Sequence, residues 1–224
     1  KEKPAFTILH RGYQGNGKDL MLMPIASAFG PASSGSVKID QLTDSWGDYI
    51  AKKKFLIIEE VSKSQNRAVN NALKTLLAPD ATGSKTLNLK GGSVMTQVDC
   101  VATYMMSNKR NPLTLEEGDR RYFVVDSWVE AKEPSWYTAI DDWLRNEAGI
   151  AKVLGMLLTR DISGFNARAL PSRTKGYQDM IDSGRYDYEI MLEELSHGNK
   201  PPFNLPLFDL ATLKTEAKKH DIKA

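Results

Sequence analysis

The sequence predicts an α/β fold, with a mostly parallel sheet flanked by helices over residues 1–128 and a smaller helical region over 129–224. Three observations predict it. An apolar strand at Phe6, Ile8 and Leu9 runs through a glycine-rich turn into the apolar segment Leu20 to Phe29. A second apolar run, Phe55-Leu56-Ile57-Ile58, ends in Glu59-Glu60, and a third, Val101 to Met106, ends in Ser107-Asn108. Continuous apolar runs are the mark of parallel strands buried on both faces. Polar residues that arrive where such runs stop fall at the carboxyl edge of the sheet, where open α/β sheets bind ligands.

The turn after the first strand reads Gly12-Tyr13-Gln14-Gly15-Asn16-Gly17-Lys18-Asp19. Gly12, four residues, then Gly17-Lys18 is the Walker A spacing: glycines let backbone N–H groups curl around phosphate oxygens, and the lysine reaches the terminal phosphates. The following helix adds its N-terminal dipole, and Pro24 is tolerated in its first turns. The expected nucleotide-binding residues are Gly12, Gln14, Gly15, Asn16, Gly17, Lys18 and Asp19. Asp19 stands where a serine or threonine hydroxyl ordinarily meets Mg²⁺. A carboxylate is a hard ligand for that ion and suits a helix N-terminus, yet it adds negative charge beside a triphosphate. Asp19 therefore reads either as a metal ligand or as a helix cap that weakens the site.

Beyond a loop at Gly30 to Gly35, Ser36 to Asp40 reads as a short strand. Residues 41–53 read as a helix, with Leu42, Trp46, Tyr49 and Ile50 on one face and Lys52 to Lys54 as solvated cations at its C-terminal end. The strand from Phe55 has the form of a Walker B segment, which assigns Glu59 to Mg²⁺ and Glu60 to orienting and deprotonating the attacking water. Without the glycine turn, the same acids would read as a surface pair. Gln65 to Ala78 forms an amphipathic helix through Ala68, Ala72, Leu73, Leu76 and Leu77, stopped by Pro79. Leu87 to Val94 alternates around Gly91-Gly92 as a hairpin. Asn108, at the end of the third strand, is positioned to hold the lytic water. Arg120 and Arg121 then enter another apolar run, Tyr122 to Val125; taken alone they read as ion-pair partners of Glu116, Glu117 or Asp119.

Past Ser127 the β-rich pattern gives way to helices. Trp136, Ile140, Trp143 and Leu144 recur at helical spacing, which favours core packing over base stacking, and Ile150 to Leu158 continue apolar. Residues 161–175 read as a connection, followed by helices near 175–183 and 186–196. Pro201-Pro202 separates a final piece, Phe203 to Ala224. Leu205, Leu207, Leu210 and Leu213 there suit packing, and Lys214, Lys218, Lys219 and Lys223 suit a solvated tail.

The formal net charge of +2 requires any nucleic-acid binding to come from local patches. A single cysteine, Cys100, excludes an internal disulfide framework and suits a reducing compartment. No apolar stretch has the length of a membrane span and no signal-peptide pattern opens the chain, so a cytoplasmic protein without membrane contact is expected. The start at Lys1 is expected to mark a piece of a longer polypeptide. His10, His197 and His220 have no metal-ligand spacing with Cys100.

Taken in order, GYQGNGKD, FLIIEE, MMSN and EEGDRRYFVV resemble the ATPase core of superfamily 3 helicases, particularly the helicase half of phage and virus primase-helicases. The resemblance covers residues 5–127. It implies a P-loop ATPase of the AAA+ type that uses ATP and Mg²⁺, forms a homo-oligomeric ring, usually a hexamer, and moves along single-stranded DNA in replication. It makes Lys18 the phosphate lysine, Glu59 and Glu60 the Walker B acids with Glu59 and Asp19 at the metal, Asn108 the sensor, and Arg121 the likelier arginine finger beside Arg120. It also implies a basic hairpin in the ring channel, with Lys90 as the DNA contact and Lys85 and Lys109 as secondary ones. Upstream helical and primase segments are expected by the same resemblance. Two alternatives stay open: a loader or assembly switch of the same fold that does not unwind, and a hydrolysis-deficient scaffold of a primase.

Overall fold

The computed structural model describes residues 3–43, 47–61, 67–78, 82–184 and 195–200, together with 203, 204, 209, 211, 212 and 215. Its elements are β1 (Thr7–Gly12), α1 (Lys18–Phe29), β2 (Ser34–Lys38), a 3-10 turn (Ile39–Thr43), β3 (Phe55–Glu59), α2 (Arg67–Leu77), β4 (Ser84–Asn88), β5 (Val94–Val98), β6 (Ala102–Ser107), β7 (Tyr122–Ser127), α3 (Pro134–Asn146), α4 (Gly149–Thr159) and α5 (Lys175–Gly184). Five strands pair in the order β2-β3-β6-β1-β7, and each of these pairings is parallel. The apolar runs supply the sheet: Leu9, Leu56, Ile58, Met105 and Val124 are buried, and Leu22 of α1 packs with Phe55, Tyr104 and Met106. β4 and β5 form a separate antiparallel hairpin.

By compactness the chain divides into Lys1–Met180 and Ile181–Ala224, with α5 crossing the division. The compositional change after Ser127 falls inside the first unit. In the second, the Lys200 N–H donates to the Leu195 carbonyl at 2.9 Å, and Asp209 Oδ1 accepts from the Thr212 N–H and hydroxyl at 2.8 Å each. The expected helix over 186–196 lies outside the described residues except for its end. The same holds for Pro201-Pro202, Leu205, Leu207, Leu210, Leu213 and the lysines from Lys214 onward. No helix among the described residues is long and apolar enough to cross a membrane.

Several local expectations are corrected. Residues 41–53 do not form a helix: the 3-10 turn ends at Thr43 and hydrogen-bonded turns fill 48–52, with Trp46 outside the described residues. Long-range bonds override helical periodicity there, since the Gly47 N–H donates to the Asn88 carbonyl at 2.7 Å and Asp48 accepts from the Lys90 N–H at 3.0 Å. Lys53 is no solvated helix cap; its ammonium donates to the Pro31 and Ser34 carbonyls at 3.1 and 2.7 Å, tying down the loop that enters β2. β2 starts at Ser34, two residues before the expected strand, because pairing with β3 begins at Ser34 and Phe55. On α2 the buried face is Val69, Leu73, Leu76 and Leu77, and Ala68 is exposed. On α3, Leu144 is buried but Trp136 is 49% exposed, so that tryptophan is not core.

Among the described residues, one ion pair is buried at both ends. Lys3 Nζ sits 3.0 Å from Asp99 Oδ2 and also donates to the Leu76 and Ala78 carbonyls, closing the C-terminal end of α2. Removing one partner strands a buried charge, so Asp99→Ala should destabilise the fold by about 3–5 kcal/mol in urea unfolding. The exposed pair Lys74–Glu116 provides the control: Glu116→Ala should change stability by no more than about 0.5 kcal/mol.

Candidate functional site

Because the paired strands run the same way, β1, β3, β6 and β7 end at one edge of the sheet. A cleft of about 620 Å³ opens there. Its walls are Gln14 to Leu20 from the glycine loop and α1, Glu59 and Glu60, Met106 to Asn108, and Tyr137, Thr138 and Asp141 of α3. All the expected loop positions from Gln14 to Asp19, both acids and Asn108 therefore share one cavity.

The glycines have distinct reasons. Gly12 lies so close to β7 that an added Cβ would fall 2.6 Å from the Ser127 carbonyl oxygen. Gly15 and Gly17 adopt φ of 75° and 86°, which side chains rarely do. Asn16 Nδ2 donates to the Ser127 carbonyl at 2.7 Å and its hydroxyl at 3.0 Å, fastening the loop to the end of β7. Gly17 caps α1 without a side-chain acceptor, which leaves first-turn N–H groups and the helix dipole to an anion.

Lys18 Nζ donates inside the loop to the Gly12 carbonyl at 3.1 Å, the Tyr13 carbonyl at 2.6 Å and Asn16 Oδ1 at 3.0 Å. Burial lowers its pKa, with the Asp19 charge opposing. Phosphate oxygens are stronger acceptors than these neutral ones, so an entering polyanion would take over the ammonium.

Glu59 accepts a hydrogen bond from Ser36 Oγ. Glu60 stands in the left-handed region at φ 53°, and its carboxylate lies 3.3 Å from Lys38 Nζ on an exposed surface. The turn is imposed by the next residue, since the Val61 N–H pairs with the Met106 carbonyl at 3.0 Å and the Val61 carbonyl accepts from Ser107 Oγ. The ends of β3 and β6 are thereby tied together, which fixes Glu60 relative to Asn108. No three His, Cys, Asp or Glu side chains among the described residues converge as a metal cage. Mg²⁺ ordinarily takes one or two carboxylates and completes its shell with water and phosphate oxygens. Asp19 and Glu59 line the one cleft as hard oxygen donors and fit that pattern.

Arg120 and Arg121 lie away from the cleft. Arg121 precedes β7 at the opposite edge of the sheet, where its carbonyl accepts from the Thr7 N–H at 2.8 Å. Its guanidinium is bidentate to Asp119 at 2.9 and 2.7 Å, and that hydrogen bonding raises its pKa. Arg120 is exposed. The three lysines have different settings: Lys90 is exposed at the hairpin turn, Lys85 donates to the Thr75 carbonyl of α2 at 2.9 Å, and Lys109 is exposed next to Asn108.

Sequence reasoning missed the support beneath the loop. His10 is buried, with Nε2 2.7 Å from Ser127 Oγ and Nδ1 2.8 Å from the Tyr104 hydroxyl. Burial and the Lys18 charge lower its pKa, opposed by Asp126, while burial pushes the Tyr104 phenol up to about 12. Arg11, 2% exposed, is bidentate to Asp126 at 2.8 Å on both contacts, and the Arg110 guanidinium lies over the Trp128 ring at 4.7 Å. The available signal was polarity at the strand ends, His10-Arg11 and Asp126-Ser127, inside otherwise apolar runs. The contribution of Tyr137, Thr138 and Asp141 of α3 to the cleft had no signal of its own.

Residues 10–121 match a family described as a family of unknown function (DUF5906). The chain belongs to DUF5906. That stretch of the DUF5906 chain contains the whole glycine loop, Glu59, Glu60, Asn108, Arg120 and Arg121, and it stops before α3. The chain is also similar to the DNA primase-polymerase of Nitratiruptor phage NrS-1, 24% identical over 188 residues that cover 82% of this chain and 26% of the relative. Among solved structures, the apo NrS-1 C-terminal region superposes with a TM-score of 0.67 at 20% identity, covering 96% of this chain and 54% of that one. Its A form gives 0.65 at 20% identity over 87% and 46%. The likeness shows that the fold is shared. The chain spans about a quarter of the curated relative's length and about half of the solved regions.

The His10 setting gives a pH signature. With its folded pKa below the ordinary 6.5, the folded state holds fewer protons than the unfolded state, so stability is present above about pH 6.5 and falls as pH drops through that window. The thermal midpoint of the wild type should decline from about pH 7 to 5, and the decline should be shallower in His10→Gln.

Proposed function

We propose that this chain is an Mg²⁺-dependent ATPase that drives translocation along single-stranded DNA, or its unwinding, in phage replication. In this reading it is a P-loop core of the AAA+ type that works in a ring with nucleotide sites between copies. The observation that carries it is the meeting, at one sheet edge, of an anion-seeking glycine loop, two strand-end carboxylates and an asparagine. The likeness to a phage DNA primase-polymerase supports the setting in DNA replication.

Each residue then has a task. Loop N–H groups and Lys18 hold the β- and γ-phosphates. Asp19 and Glu59 hold Mg²⁺, which neutralises developing charge when bound. Asn108 orients the attacking water and Glu60 takes its proton as the oxygen bonds to the γ-phosphorus and the bond to the β-phosphate oxygen breaks. Arg121, at the opposite edge, serves a neighbouring copy by exchanging Asp119 for the γ-phosphate. Lys90 at the hairpin turn meets the DNA backbone.

A second reading, nucleotide binding without hydrolysis as a switch or scaffold, is favoured by one feature: Asp19 brings an acid into the first turn of α1, beside the phosphates. Phosphate release measured across a protein-concentration series, with and without single-stranded DNA, separates the two. The motor reading expects turnover that rises with concentration and with DNA, drops about 10²-fold or more in Lys18→Ala and Glu60→Gln, and drops about 10³-fold in Arg121→Ala. Lys90→Ala should keep basal turnover and lose the DNA stimulation. Turnover that appears only in Asp19→Ser would favour the switch.

A further inference from the structure

Among the described residues, two clefts border the glycine loop. The second, of about 360 Å³, shares Asn16, Gly17, Lys18 and Leu20 with the first and continues onto an apolar wall of Met21 and Pro24 from α1 and Trp136, Ile140 and Leu144 from α3. α3 divides them. Trp136, Ile140 and Leu144 recur every four residues and so share a helix face, while Tyr137, Thr138 and Asp141 on the adjoining stripe line the polar cleft. The junction is close, since a Cβ on Gly17 would lie 3.0 Å from the Tyr137 ring.

Trp136 is held for contact. Its ring packs edge-on against Tyr137, with centroids 5.0 Å apart at 88°, and the Tyr137 hydroxyl accepts from the Lys132 N–H at 2.9 Å. Half of the Trp136 surface nevertheless stays open, at the border of an apolar cleft. Its volume lies in the range of small-molecule pockets, roughly 300–1,000 Å³. An anion-seeking loop at one end and a flat apolar wall at the other match one ligand class: a polyanion that carries an aromatic ring.

We infer that the cleft between α1 and α3 holds the nucleobase of a nucleoside triphosphate whose phosphates occupy the glycine loop, with the Trp136 face as the stacking platform. The inference rests on the nucleotide reading of the loop. Aromatic stacking removes base surface from water on both partners and tolerates different bases, because each has a π-face. Met21 and Ile140 complete an apolar enclosure around the ring. The polar groups bordering this cleft, His10, Asn16, Lys18 and Ser127, gather at its loop end. Recognition is therefore through the base face more than its hydrogen-bonding edge.

The test compares two ligands by calorimetry in the presence of Mg²⁺: ATP and inorganic tripolyphosphate, which has the anion without the base. Trp136→Ala should weaken ATP about thirtyfold and leave tripolyphosphate within about twofold, and Trp136→Phe should recover most of the ATP affinity. Lys18→Ala should weaken both ligands. Unchanged ATP affinity in Trp136→Ala, with a loss in Lys18→Ala, would overturn the base pocket and leave the nucleotide reading standing. An equal loss of both ligands in Trp136→Ala would also overturn it, because the loop itself would then be damaged. If wild type binds neither ligand, both readings fall together.

Discussion

Ser127, the last residue of β7, holds the glycine loop in place. Its hydroxyl lies within hydrogen-bond reach of His10 Nε2 and Asn16 Nδ2, its carbonyl accepts from Asn16, and its main chain crowds the Cα of Gly12. A loop attached only through its two ends would adopt many shapes, and ordering it on a ligand would consume part of the binding energy. Stitched to an outer strand of a parallel sheet, it is already shaped. The parallel arrangement does the rest, since strands that run one way bring their final residues to one place whatever their order along the chain.

The same economy explains the buried polar groups. Tyr104, His10, Ser127 and Asn16 form a line of hydrogen bonds that runs from the sheet interior to the loop, and no buried side-chain nitrogen or oxygen among the described residues lacks a partner. Arg11 and Asp126 do the equivalent on the next register of β1 and β7. A neutral histidine beside a lysine is consistent with its position, because a second buried cation there would be repelled by Lys18 and unsolvated.

What the sequence made legible is local in character. The strand-turn-helix at Thr7 to Phe29, the acids after β3 and the asparagine after β6 are each readable from a dozen consecutive residues, and the parallel architecture follows from them. The remainder depends on pairings across the chain. Arg11 meets Asp126 and Lys3 meets Asp99 only because of which segments become neighbours; polarity at the ends of β1 and β7 marks Arg11 and Asp126 as unusual but does not name their partners. Residues 41–53 have helical periodicity, yet hydrogen bonds from Gly47, Asp48, Ile50 and Lys52 to the β4–β5 hairpin outweigh it. The apolar stripe of α3 was visible, but the burial of Leu144 and the exposure of Trp136 depend on where the helix lies in the fold, which periodicity does not encode.

Glu60 keeps a backbone conformation that glycine would adopt freely and that costs an ordinary residue about 1 kcal/mol or more. The carboxylate is thus retained against the preference of its own backbone. A library of this chain screened only for heat resistance would enrich glycine at position 60, and its most robust members would be the first to lose the acid.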